Sequence, residues 1–317
     1  LRIAALASAA VQLLIAVTPS WGLLAIAATL GGLANSLAQP GANLLLTRVI
    51  RAELHGIGFA VKQSALPLAS MLGGLAVPLV ALTIGWRWTF VFGAAIALAA
   101  ALAVPVRAEQ QVLTDAPRSP APPLRGSFAP LVVLAVGVAF GAAAAGGLAA
   151  FLTSGAVKAG VGEAAAGWLL TIGSALGIAS RLTVGWLADR TMRSQLPVVA
   201  SMMAIGALGM AAFAAQAPVV YLLATPVAFA AGWAWPGLFN LSVVRAHAQA
   251  PGAATGITQT GTYLGAALGP LGFGIGAQEG AFGVAWLLAG SWLLIGAVAI
   301  LTGRGMLDSR RDASSTH

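Results

Sequence analysis

Two cations and a set of amides stand where the surrounding sequence is almost wholly apolar, and they are the side chains best placed to do chemistry. Lys62 and Arg181 both lie inside long hydrophobic runs. An ionised group in such a run is costly to bury and marks a binding or gating role for a negative charge. Asn35, Gln39 and Asn43 recur every four residues, which puts them on one face of a helix as a polar stripe. Gln63, Trp235, Asn240, Gln259 and Tyr263 add amide, indole and phenol groups in other runs, with Tyr263 one helical turn beyond Gln259. Together these groups can hold a small solute through hydrogen bonds and one or two positive charges. They can equally serve as helix–helix hydrogen bonds, worth about 0.6 kcal/mol each on average. Lys62 can also extend along its own stem to the interface. The acids are distributed differently: Glu53, Glu109, Asp115, Glu163, Asp189, Glu279, Asp308 and Asp312 all fall in loops, tails or run ends. No run carries a central carboxylate to relay a coupling proton.

Enzymatic chemistry has little to build on. The chain has no cysteine, which removes disulfides, thiolate metal sites and cysteine nucleophiles together. His55 and His247 stand at run ends and His317 is terminal, and neither H-E-x-x-H nor G-x-S-x-G occurs. The expectation is no enzyme, no metal and no cofactor.

The elements that position these residues follow from composition. Of 317 residues, 59% are hydrophobic and only 8% are charged, against about a quarter charged in soluble domains. Mean hydropathy is +0.92. Such a chain has too few polar side chains to cover a water-facing surface, so it belongs in lipid. A membrane helix takes about 20 largely apolar residues. Ten runs qualify, near 3–17, 22–46, 57–82, 87–105, 129–153, 165–187, 197–215, 219–243, 254–276 and 282–302. The runs are too long and too unbroken for barrel strands. The fold class is therefore an all-α, polytopic membrane protein with ten spans.

Ten spans sort the cations by side. Arg2, Arg48, Arg51, Arg107, Arg118, Arg125, Arg190, Arg193, Arg245, Arg304, Arg310 and Arg311 fall on one side, and only Arg87 and Lys158 on the other. Cationic loops stay in the cytoplasm, so both ends of this chain are expected inside, in the cell's plasma or inner membrane. The formal net charge of +8 is thus a record of orientation, with the basic residues too scattered to track a nucleic acid. Residues 107–127, polar and proline-rich, read as a cytoplasmic linker between a four-span block at 1–106 and a six-span block at 128–303, with a loose tail at 304–317.

Sliding the chain on itself by 196 residues pairs Pro40 with Pro236, Gly41 with Gly237, Gly56 with Gly252, Gln63 with Gln259 and Gly73 with Gly269. Nine identities fall over positions 40–73, where about four are expected by chance. The first four spans then correspond to the last four. On this reading the spans at 129–153 and 165–187 lack partners, and the chain is short by two spans of a twelve-span protein built from related halves.

One loop carries a family signature. Gly185-Trp-Leu187-Ala188-Asp189-Arg190-Thr-Met192-Arg193 resembles the G-x-L-A-D-R-x-G-R-R/K cytoplasmic loop of the major facilitator superfamily, departing from it at Met192 and Ser194. Gly85-Trp86-Arg87-Trp88-Thr89-Phe90 resembles that family's entry to its sixth helix, and the glycine-rich run from Gly261 to Gly274 its eleventh. The resemblance covers the chain as helices three to twelve of twelve. It implies a monomeric carrier of a small solute, with or without a coupling ion, working by alternating access. It also implies that Gly185, Asp189, Arg190 and Arg193 form a gate on the cytoplasmic side. A physical reading of Asp189 stands beside this: at the end of a span it can face the positive end of a neighbouring helix.

The resemblance places Asn35, Gln39 and Asn43 on the fourth helix and Trp235 and Asn240 on the tenth, all lining a central cavity. It brings the helices of Lys62 and Arg181 together. At about 1.5 Å per residue, Lys62 lies about 9 Å in from Gly56 and Arg181 about 12 Å in from Asp189. Arg181 also resembles an arginine that binds carboxylate in family members moving oxalate and monocarboxylates, although Gly177 stands where the monocarboxylate type has an acid. An organic anion is the first substrate class expected. Efflux of a lipophilic compound is the alternative, set lower because Pro67 and Gly73-Gly74 are too far apart for the G-P-x-x-G-G run of drug antiporters. A non-transporting fragment or scaffold is a third reading.

Overall fold

The computed structural model describes residues 2–32, 46, 50–103, 128–191, 193–278 and 281–315. Every regular element among them is helical. The polar stripe of Asn35, Gln39 and Asn43, the cation Arg48 and the linker at 107–127 lie outside the described residues.

In chain order the helices are α1 (Arg2–Val17), α2 (Trp21–Gly32), α3 (His55–Gln63), α4 (Ala65–Ala76) and α5 (Arg87–Ala103), with a π-helical stretch at Val77–Gly85. There follow α6 (Phe128–Lys158), α7 (Glu163–Ala188), α8 (Leu196–Ala212), α9 (Pro218–Ala230), α10 (Pro236–Ala246), α11 (Pro251–Gly276) and α12 (Phe282–Ser315). Five stretches are long and apolar enough to cross a membrane: His55–Gly85, Phe128–Lys158, Glu163–Ala188, Leu196–Ala215 and Phe282–Ser309. Arg2–Val17, Trp21–Gly32, Arg87–Ala103 and Pro218–Ala230 are shorter apolar helices. Large apolar side chains remain on the outside of many of these helices, among them Leu208 and Leu223 at 70% and 72% exposure. In lipid such faces need no cover.

Two runs read as single spans differ in detail. The run at 219–243 is two helices, α9 and α10, separated by turns at 231–235. Proline explains the break. Pro236 has no N–H to give to the carbonyl of Gly232 four residues back, and that carbonyl instead accepts the Trp235 indole N–H at 3.0 Å. The run at 57–82 is likewise interrupted, at Ser64 and again where Pro78 opens the π-helical stretch. The tail differs too: α12 continues through Ser315 where a loose segment was expected. An Arg304–Asp308 pair at 3.2 Å, spaced i,i+4, supports the extra turns.

The chain divides into two compact units: Leu1–Arg51 with Leu75–Pro120, and Ala52–Gly74 with Ala121–His317. In the first, α1 packs on α5. Gly93 leaves room for the Gln12 amide, and Arg87 donates to the Thr18 carbonyl at 3.3 Å.

The second unit holds the candidate site. Its α6 and α11 lie so close that a Cβ on Gly261, Gly265 or Gly269 would overlap the backbone of Ala135, Ala139 and Ala143 respectively. Glycines spaced by four let two membrane helices approach along a whole face, where packing and not water exclusion drives association. The turn that follows α6 contains Gly160, whose φ of 95° is open to glycine. There Val161 N–H returns to Ala156 O at 2.9 Å and Gly160 N–H to Val157 O at 3.0 Å, which closes the helix end.

Candidate functional site

Helix α7 carries the two charged groups around which the second unit is arranged. Arg181 lies mid-helix and is only 2% exposed. One arm of its guanidinium, Nη1, donates to the backbone carbonyl of Gln63, and the other, Nη2, to that of Trp233. The guanidinium carbon also sits 5.7 Å from the centre of the Trp233 ring. Its Nε is buried without a hydrogen-bond partner, and no carboxylate pairs with the group among the described residues.

Both carbonyls come from helix interruptions. Gln63 ends α3, four residues before Pro67, which has no N–H to claim that oxygen. Trp233 lies in the 231–235 turns before Pro236. Proline releases the Gln63 carbonyl directly, the turns before Pro236 leave the Trp233 carbonyl outside a regular helix, and a single long cation on a third helix reaches both.

At the end of α7, Asp189 meets the start of α3. One carboxylate oxygen accepts the Gly56 N–H at 2.6 Å, and the other the Ile57 N–H at 2.8 Å. The first N–H groups of a helix lack partners within it, and the helix dipole favours a negative charge there. Close approach makes this possible. A Cβ on Gly56 would fall 2.8 Å from the Asp189 carboxyl carbon, and one on Gly185 would fall 2.7 Å from the Ala60 Cβ. Arg245 completes the junction: its Nη2 lies 3.6 Å from Asp189, while Nη1 donates to Ala188 O at 3.1 Å and Thr191 O at 2.9 Å. Arg190 stacks over the Trp186 ring at 3.5 Å, and Arg193 is exposed.

The remaining candidates fall as follows. Lys62 is half-buried on α3, next in sequence to the Gln63 whose carbonyl Arg181 holds. Gln63 and Asn240 are buried, at 8% and 4% exposure. Trp235 is packed against Gly141 of α6, its N–H satisfied by Gly232. On α11, Gln259 is half-buried and Tyr263 exposed.

Sequence reasoning missed the parts played by Trp233, Arg245 and the Gly56 and Ile57 amides. Arg245 had been counted for orientation alone. The break around Trp233 has a local signal in Pro236, but nothing local ties it to Arg181, 52 residues away.

The arrangement joins a desolvated cation to a charge-capped helix junction. No curated protein sequence matches the chain significantly. Solved structures share its fold. The human organic anion transporter MFSD10 (TETRAN) aligns with a TM-score of 0.66 at 17% identity, over 94% of this chain and 76% of that one. The Escherichia coli fucose:proton symporter FucP gives 0.63 at 15%, over 95% and 82%. A bacterial homologue of the iron transporter ferroportin, in its outward-facing state, gives 0.65 at 14%, over 96% and 80%. The sequence profile of the Major Facilitator Superfamily matches residues 1–270, and the chain belongs to that superfamily of multi-pass membrane transporters.

Proposed function

We propose that the chain carries a small organic anion by alternating access, and that Arg181 receives the anion's charge. The observation that carries this reading is the state of that guanidinium: 2% exposed, held by two neutral carbonyls and a ring face, with Nε unpartnered. Removing an ion from water costs several kcal/mol. Hydrogen bonds from a charged donor return about 1.5–3 kcal/mol each. Two of them therefore roughly offset the burial, and they leave a net positive charge in the membrane. A carboxylate matches the planar fork of an arginine far better than two separate carbonyls do. Substrate entry would exchange the carbonyls of Gln63 and Trp233 for carboxylate oxygens and so free both helix interruptions to move. One fold neighbour is itself named an organic anion transporter.

In this scheme the halves at 1–106 and 128–303, joined by 107–127, rock about the site, and both ends of the chain face the cytoplasm. Lys62, Gln63, Asn240, Gln259 and Tyr263, with Asn35, Gln39 and Asn43, supply the remaining polar lining. Gly185, Asp189, Arg190 and Arg193 latch the cytoplasmic end closed in one conformer of the cycle and bias the gate toward the outward-facing state.

The test is uptake and counterflow of a panel of small mono- and dicarboxylates in proteoliposomes. Arg181→Ala should lose transport by at least about 100-fold, the scale of removing a buried charge partner at 3–5 kcal/mol. Arg181→Lys keeps the charge without the fork and should recover only part of it. Unchanged affinity of Arg181→Ala for every transported anion would sink the proposal, and uptake confined to uncharged lipophilic compounds would favour the efflux reading.

A further inference from the structure

A second basic site lies apart from Arg181, where the ends of four helices of the second unit come together. A cleft of about 120 Å³ is lined by Arg193, Ser194, Ser242, Arg245, Arg304 and Asp308, among others. These residues come from the loop after α7, the last turns of α10 and the distal part of α12. The start of α8 also opens into the cleft, at Gln195 and Leu196, and no side chain caps it. Three guanidinium groups against one carboxylate leave the lining at +2, and a helix N-terminus adds to the positive potential. The carboxylates present are already engaged: Asp308 sits 3.2 Å from Arg304, and Asp189 sits 3.6 Å from Arg245. Arg193 has no ion pair among the described residues and is exposed. The exposed Ser194 hydroxyl adds a further donor for a tetrahedral oxyanion, while that of Ser242 already donates to Leu238 O at 2.9 Å.

Position decides what kind of anion this is. Leu294, Val298 and Leu301 form an exposed apolar stripe along α12, 48%, 63% and 47% exposed. Asp308 continues that stripe two turns past Leu301, with Arg304 beside it, where the stretch Phe282–Ser309 leaves the apolar zone. A group bound here would have its charged end among arginines and any attached hydrocarbon against a face that already meets lipid. We propose that this cleft binds the phosphate of an anionic phospholipid, with the head group in the cleft and the acyl chains along α12. Arg245 gives the site a consequence, because the same guanidinium reaches the carboxylate that caps α3. A lipid phosphate drawing on Arg245 competes with Asp189 for it, so lipid composition would tune the junction between α3 and α7. The proposal stands whatever solute is carried.

The experiment uses the full chain purified into nanodiscs of pure phosphatidylcholine or of phosphatidylcholine with phosphatidylglycerol, read by thermal unfolding and by native mass spectrometry of retained lipid. Phosphatidylglycerol should raise the unfolding temperature and be retained at least tenfold over phosphatidylcholine. Arg304→Gln, and more strongly Arg193→Gln with Arg304→Gln, should abolish both differences, whereas Arg304→Lys should keep most of them. Unfolding in phosphatidylcholine alone checks that each variant is folded. Equal behaviour of the two lipids in the unaltered chain would overturn the proposal, as would a phosphatidylglycerol preference that survives the double substitution. If inorganic phosphate at millimolar concentration reproduced the shift, and the double substitution removed it, the cleft would be a soluble-anion site and the lipid assignment would fall.

Discussion

At the scale of single residues, Asp189 and Arg181 answer the same problem in opposite ways. Asp189 is a charge with a fixed complement: two backbone N–H groups at a helix start and a nearby arginine. Its motif made it legible in sequence, because the signature marks the residue and the helix dipole explains the charge. Arg181 is a charge whose partners are neutral, and its position in a run revealed only that it is costly. The difference suggests separate tests. Asp189→Asn keeps the shape and removes the charge, with an expected loss of about 1–2 kcal/mol from the junction. That corresponds to a roughly 5–30-fold shift in the open population. Because the chain has no native cysteine, Ser64→Cys, which is buried near the end of α3, reports opening through its rate of thiol labelling. Labelling should speed up by that factor in the Asp189→Asn background. An unchanged rate would mean that the carboxylate only orients its loop.

At the scale of elements, proline and glycine decide more than hydrophobicity does. Apolar length is a local property, so long runs can be read from sequence; five stretches among the described residues are long and apolar enough to cross a membrane, and the interruptions within the runs were not all read. Pro67 and Pro236 each withdraw one donor, and the oxygens released become acceptors for Arg181 and Trp235. Glycines 261, 265 and 269 allow the closest approach in the second unit, against α6. The sequence reading saw that glycine row as a family feature without knowing which helix it faced. Pro67→Ala isolates the effect of the donor. A restored N–H at 67 would claim the Gln63 carbonyl, favour the helix by up to about 3 kcal/mol, and take one partner from Arg181. The expected outcome is an unfolding temperature equal to or above that of the unaltered chain together with a several-fold fall in anion uptake. A variant that is stabilised and transports at the full rate would show that the carbonyl has no role in the cycle.

For the whole molecule, two statements of different kind must be kept apart. The chain is a multi-pass member of a transporter superfamily, and its orientation is read from charge alone. Twelve cations against two predict that the loop-side ends, including the distal part of α12, face the cytoplasm. Single cysteines test this in intact cells. Gly162→Cys, between α6 and α7, where φ is −62° and an added Cβ meets nothing, should react with a membrane-impermeant reagent, and Ser309→Cys should react only after permeabilisation. The reverse pattern would invert the topology and move the lipid-phosphate cleft to the outer leaflet. The grouping of residues 52–74 with 121–317 is a tertiary fact. It follows from long-range bonds that tie α3 to α7 across 133 and 118 residues of sequence.

By itself the sequence determined the solvent, the helical class, the family resemblance and the positions of the costly charges. Each of these follows from composition, run length or spacing within a few turns, which are properties of neighbours along the chain. Only the tertiary structure decided what the charges touch. Arg181 against two carbonyls freed by helix breaks, Arg245 between a carboxylate and a loop, and three arginines around one cleft all join segments far apart in sequence. A hydrogen bond is specified by where its partner ends up in space, and no local period encodes that.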